Sequence, residues 1–232
     1  MQRLNTFLCI LLFSSLSIAK PIRVLMIDAG TPKISWGLYQ SKGRDVSIHS
    51  VNTHDHATAM FKLIVSGNCN DFSCLKPTCN NLTVDWCGFM GRDAKAMAVN
   101  YYYYCFIKAI TGEYDIVNLS IAGDVRDESE EYLVKLLAKK SIVVIAAGNT
   151  SRSLRQYPAR YVTSKKGPMF AISALDKHGN RLPSSNKDKI TIDFLGVSSY
   201  YQDDEWSVME GTSVATALYT HKLIMEKCNV KD

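Results

Sequence analysis

The chain has 232 residues, 27 Lys and Arg against 22 Asp and Glu, and a hydrophobic fraction of 47%. It holds no internal repeat, no low-complexity tract and no second apolar run of membrane-spanning length, so it is long enough for one α/β domain with a substantial core and excludes a solenoid or a multi-span membrane protein. The net charge of +5 is spread along the chain, with Lys139-Lys140 and Lys165-Lys166 as the only tight pairs, and neither nucleic acid nor a membrane is expected as a partner of the mature chain.

The first stretch, Met1-Gln2-Arg3 followed by an apolar run from Phe7 to Leu16 and then Ser17-Ile18-Ala19, has the order of a secretory signal peptide. Cleavage before Lys20 leaves one domain over residues 20–232. Its cysteines are Cys69, Cys74, Cys79, Cys87, Cys105 and Cys228, an even number in an exported chain, which predicts a disulfide framework of unassigned pairing. No paired C-x-x-C spacing points to zinc, and no metal or cofactor is expected.

Residues 22–27 are a β-rich apolar run that stops at Asp28-Ala29-Gly30, with a turn forced by Gly30-Thr31-Pro32. A carboxylate at the end of a buried strand is either an Asx-turn or a functional group. A second strand is expected over Asp45–Val51, and Ala57–Val65 reads as a helix ended by Gly67. His56 therefore lies at a strand-to-helix junction, with His54 as a rival. The span 67–91, rich in Cys and Asn, is expected to be a long disulfide-stapled loop, and Arg92–Thr111 a helix that packs the aromatic block Tyr101-Tyr102-Tyr103-Tyr104.

Beyond it, residues 114–123 form a buried strand that runs into the small residues of Ser120-Ile121-Ala122-Gly123, as the wall of a substrate groove would. An amphipathic helix over Glu128–Lys140 precedes the continuous apolar strand Ile142–Ala147, which closes on Gly148-Asn149. Asn149 serves either as a turn residue or as an amide donor to developing negative charge. Strands follow at 169–174 and 190–196, then a loop through Trp206 leads to Gly211-Thr212-Ser213 and a helix over Val214–Lys227. Taken alone Ser213 is an ordinary helix cap. It is also where unpaired N–H groups and the helix dipole suit a nucleophile.

Strands alternating with helices predict a three-layer α/β sandwich, with a mostly parallel central sheet flanked by helices on both faces. Four stretches then carry a family resemblance: Ile27-Asp28-Ala29-Gly30, His56-Ala57-Thr58-Ala59-Met60, Ala146-Ala147-Gly148-Asn149 and Gly211-Thr212-Ser213-Val214-Ala215-Thr216. Together they resemble the motifs of the subtilisin-like serine proteases. The resemblance implies a triad of Asp28, His56 and Ser213, and an oxyanion hole of the Asn149 amide and the Ser213 N–H. Peptide substrate would lie along Ser120, Ile121, Ala122 and Gly123, opposite Ala147 and Gly148. It implies a secreted, monomeric endopeptidase acting on proteins or peptides, with a catalytically silent peptide-binding module as the alternative.

Ala57 and Ala122 stand where the family pattern has glycine, and Ala217 where it has proline. The short distance from the cleavage point to Asp28 leaves no room for a propeptide, so stabilisation by disulfides is expected. Arg152 and Arg155, in the loop 150–156, suggest a specificity pocket that accepts acidic side chains.

Overall fold

The computed structural model describes residues 20–33, 43–44, 46, 53–68, 79, 81–90, 99–202 and 205–229. The expected signal peptide, Cys69, Cys74, the strand expected over 45–51 apart from Val46, and the first turns of the helix expected from Arg92 lie outside the described residues.

Six parallel strands form one sheet in the order β2-β1-β3-β4-β5-β6. They are β1 (Ile22–Asp28), β2 (Leu82–Gly88), β3 (Ile116–Leu119), β4 (Ile142–Ala146), β5 (Met169–Leu175) and β6 (Ile192–Leu195). Strand alternation explains how one sheet supports two cores. Val24 and Met26 of β1, with Ile116, Val144 and Ile172 of the neighbouring strands, face one helical layer: α1 (Asp55–Ser66) and α4 (Thr212–Asn229). Leu25 and Ile27, with Val117, Leu119, Val143 and Ile145, face the other, built by α2 (Val99–Thr111) and α3 (Glu128–Leu137). The predicted sandwich is therefore present, with a mostly parallel sheet and helices on both faces.

Two expectations need correction. The span 67–91 is not one long loop: Leu82–Gly88 is a strand, paired in parallel with β1 from Ile22↔Leu82 to Asp28↔Gly88. Its polar Asp85 is buried at 2% exposure but is matched there by the Tyr114 hydroxyl at 2.8 Å and the Arg23 guanidinium at 3.4 Å. The stretch before Gly211, expected as a loop, is an antiparallel hairpin of β7 (Val197–Gln202) and β8 (Glu205–Glu210). The hairpin returns the chain to the sheet at the point where α4 begins.

Two disulfides join the described layers. Cys87–Cys105 ties β2 to α2, and Cys79–Cys228 ties the residue ahead of β2 to the end of α4. The alanine at 217, in place of a family proline, leaves α4 continuous from Thr212 to Asn229, and Ala217 is fully buried.

Candidate active site

The strand order reverses direction at β1, which has β2 on one side and β3 on the other. Crevices outside the carboxyl ends of parallel strands at such a point are where open α/β sheets bind ligands. Asp28 ends β1, Ser120 follows the end of β3, and Asn149 follows the end of β4, so all three occupy that edge of the sheet.

Asp28 is fully buried, and its Oδ1 accepts the Ala29 N–H at 2.7 Å and meets Nδ1 of His56 at 2.8 Å. His56 is delivered by α1. The helix is capped by His54, whose Nδ1 accepts the His56 N–H at 3.2 Å, and the His54 N–H donates to Thr31 O at 3.0 Å just downstream of Asp28. His54, the rival histidine, is thus the cap, and His56 is the one that reaches the carboxylate. A carboxylate only accepts, so the bond assigns the proton of neutral His56 to Nδ1 and leaves Nε2 as an acceptor. Burial lowers the affinity of this imidazole for a proton, but the Asp28 charge and hydrogen bond outweigh it, and the His56 pKa is raised above 6.5.

Ser213 lies in the first turn of α4, where its N–H is one of the groups a helix start leaves without an intrahelical partner. Its Oγ donates to Ser120 O at 3.1 Å rather than to His56. The Ser120 Oγ in turn lies 3.2 Å from Ser213 O and 2.9 Å from the side-chain oxygen of Asn118, and Asn118 Nδ2 donates to Thr220 of α4 at 2.9 Å. This buried polar chain fixes the position of α4 along β3, which a purely apolar contact would not.

Asn149 is held on the same helix start. Its Oδ1 accepts the Thr212 N–H at 2.9 Å, and the Thr212 hydroxyl accepts the Gly148 N–H at 3.2 Å. Gly211, at φ 128°, makes the turn from β8 into α4, and a Cβ there would come within 3.1 Å of the Asn149 side chain. The backbone angle requires glycine, and a side chain there would also press on the Asn149 amide.

The groove between Ser120–Gly123 and Ala147–Asn149 has a floor that the sequence did not disclose. Gln156 N–H donates to Ala147 O, and Tyr157 exchanges two backbone hydrogen bonds with Gly123, so residues 156–157 bridge the two walls. The Gln156 side chain fills the space beside Gly148, where a Cβ would meet its Oε1 at 2.2 Å, and it donates to Asp124 at 3.0 Å. Asn186, fully buried in the β5–β6 connection, accepts from the N–H groups of Thr150 and Arg152 and returns its own N–H to Gly148 O. It clamps the loop that carries Asn149. Neither residue sits in a motif or a periodic run.

The expected role of the two arginines changes here. Arg155 is buried, paired with Asp188 at 2.6 Å and donating to the carbonyls of Ala159 and Val162. Three of its five N–H donors are engaged in this way, and at 6% exposure the side chain is not presented to a substrate carboxylate. Arg152 is on the surface and pairs with Asp124 at 3.1 Å. Both arginines are therefore paired with carboxylates of the chain itself, and the expected acidic preference loses its basis.

Among the described residues no group of His, Cys, Asp and Glu could hold a metal ion, and no helix is long and apolar enough to cross a membrane.

Residues 93–225, just over half of the chain, match the model of the Subtilase family. The chain belongs to the subtilase family. The matched span contains Asn149 and Ser213, whereas Asp28 and His56 lie ahead of it. Among curated subtilases, the chain is 30% identical over 112 residues to a thermostable alkaline protease of Halalkalibacterium halodurans, 47% of this chain and 30% of that protein. It is 30% identical over 105 residues to Subtilisin BL of Lederbergia lenta, 44% of this chain and 37% of that protein. The matches thus span about a third of those relatives' length. In fold, it superposes on a cold adapted subtilisin-like serine proteinase with a TM-score of 0.69 at 16% identity, over 90% of this chain and 77% of that one.

Proposed function

We propose that this subtilase is a secreted serine endopeptidase, with Ser213 as nucleophile, His56 as general base and acid, and Asp28 as the residue that orients His56. The observation that carries the reading is the 2.8 Å contact between Asp28 and His56 at the same sheet edge as the first turn of α4. In this scheme substrate binding draws Ser213 Oγ from Ser120 O toward Nε2 of His56, which takes its proton as Oγ adds to the scissile carbonyl. The Asn149 NH₂ and the Ser213 N–H receive the oxyanion, and the protonated His56 then gives its proton to the leaving amine. Water repeats the sequence on the acyl-enzyme. Peptide would be held in extended form along Ser120–Gly123 by main-chain hydrogen bonds.

Disulfides at Cys79–Cys228 and Cys87–Cys105 support an oxidising destination, in keeping with the signal-like N-terminal stretch. The test is cleavage of a diverse peptide mixture, followed by mass spectrometry, with Ser213→Ala as control. Cuts made by the wild type and absent with Ser213→Ala support the reading, while identical cut sites in both preparations would assign the activity to a contaminant and overturn it.

A further inference from the structure

The edge of the sheet opposite the active site, where the strands begin, gathers charge that is spread out in the sequence. Lys139-Lys140 lead into β4 and Lys165-Lys166 into β5. These strands are neighbours, and the Val143 N–H donates to Pro168 O at 2.7 Å, so the two tight lysine pairs enter the sheet side by side. Lys20 precedes β1 at the same edge, and all five lysines are exposed.

A cavity of about 780 Å³ lies along this edge, lined by Lys20, Lys139, Lys140 and Lys227, with Glu113 and Asp115 as its carboxylates. Asp115 is engaged: its Oδ2 accepts the Arg23 N–H at 2.9 Å, and Lys227 stands 3.9 Å from its Oδ1. A second cavity of about 450 Å³ shares Thr111 and Tyr114 with the first and adds Arg44 and Lys108. Six cationic side chains thus line two adjoining cavities against two carboxylates, an excess of four in a chain whose net charge is +5. Helix ends explain part of this. α2, α3 and α4 all finish here, Lys140 Nζ donates to Ile110 O at 3.1 Å, and Lys227 lies in the last turn of α4. Lys20, Lys165 and Lys166 belong to no helix, so terminal dipoles leave them unexplained.

We propose that this amino edge of the sheet binds a linear sulfated polysaccharide. Charge complementarity commits the partner to a polyanion, which would relieve the repulsion among the crowded cations. Neighbouring strands stand about 4.8 Å apart, so the lysines ahead of β1, β4 and β5 mark a row roughly 15 Å long, suited to successive sulfates of one extended chain. An ammonium on a flexible stem meets single sulfates without fixed geometry. Two other polyanions fit less well. None of the exposed large apolar side chains lines either cavity, so nothing there would enter a bilayer. The rings of Tyr104 and Tyr114 are covered by Lys108 and Arg23, which leaves no platform for bases. β1 runs seven residues, at roughly 3.3 Å each, from this edge to Asp28, so the site stands apart from the peptide groove and does not depend on the endopeptidase reading.

The test measures binding of a heparin dodecasaccharide to the Ser213→Ala protein by isothermal titration. Raising the salt from about 50 to about 200 mM should weaken binding about tenfold or more, as expected when several counterions are displaced. Lys139→Gln with Lys140→Gln should weaken it about tenfold. Lys177→Gln with Arg181→Gln removes the same charge from the exposed turn after β5, at the carboxyl edge, and should change it by less than about threefold. If circular dichroism shows the first variant to be unfolded, Lys165→Gln with Lys166→Gln takes its place and the same loss is expected. No binding at the lower salt, or equal losses from the edge pair and the control pair, overturns the proposal. Tighter binding, per anionic group, of phosphatidylserine vesicles or of duplex DNA also overturns it and assigns the surface to a membrane or to nucleic acid instead.

Discussion

The side-chain oxygen of Asn149 accepts the backbone N–H of Thr212, the residue immediately before Ser213, at 2.9 Å. That bond uses the oxygen arm of the amide and leaves the NH₂ arm for something else. In the proposed mechanism the something else is the oxyanion. Asn149→Asp keeps an oxygen for Thr212 and removes the donor, so it should lower kcat by about 10²–10³-fold with little change in KM. Steady-state kinetics on one peptide checks this. A proportional rise in KM with kcat intact would instead make Asn149 a substrate-binding residue.

The contact between Asp28 and His56 sets a pH dependence. Because the carboxylate holds the His56 pKa above 6.5, protonation of the proposed base begins at a higher pH than for a free imidazole, and the acid limb of the kcat/KM profile should have its midpoint above 6.5. Asp28→Asn should move that midpoint down and reduce kcat by roughly 10⁴-fold. The same raised value makes a stability contribution that is fully present below the unfolded-state pKa and is lost as the pH rises through the folded one. Urea melts of wild type and Asp28→Asn between pH 5 and 9 should therefore differ most at the acidic end.

Asn186 offers a different kind of test, because it touches none of the proposed reacting groups. Asn186→Ala strips partners from the N–H groups of Thr150 and Arg152. The expected cost is about 1–3 kcal/mol of stability, from unsatisfied polar groups in a partly buried loop. The fall in kcat should exceed the fall in substrate affinity, since the loop that loosens carries Asn149. Thermal melting and a KM-against-kcat comparison measure both.

The two described disulfides should contribute unequally. Cys79–Cys228 closes a separation of 149 residues and Cys87–Cys105 one of 18. Loop-closure entropy assigns them about 5 and about 3 kcal/mol respectively. Replacing the first pair with alanine should lower the melting temperature more than replacing the second, and full reduction should lower it further still. An unchanged melting temperature after reduction would remove the disulfides from the account of stability.

Much of this architecture was legible in the sequence because its signals were local. The apolar runs at 22–27 and 142–147 read as buried strands, and small or polar residues at their ends marked Asp28 and Asn149. Strand β2 escaped because Asp85 interrupts its apolar run, and the partners that make the carboxylate tolerable, Arg23 and Tyr114, lie far away in the chain. The hairpin β7–β8 escaped because its aromatic residues showed no alternation against a core. Gln156 and Asn186 act through contacts with Gly148 and Thr150 that no spacing rule anticipates. Arg155 shows the converse: a charge placed by sequence near a pocket was already matched by Asp188.

The measurement that tests the central claim most directly is covalent labelling of the folded protein by a fluorophosphonate, located by peptide mapping. The account predicts stoichiometric modification of Ser213, none in Ser213→Ala, and loss of labelling on unfolding. A folded wild type that takes up no label, or label that persists in Ser213→Ala, would contradict it.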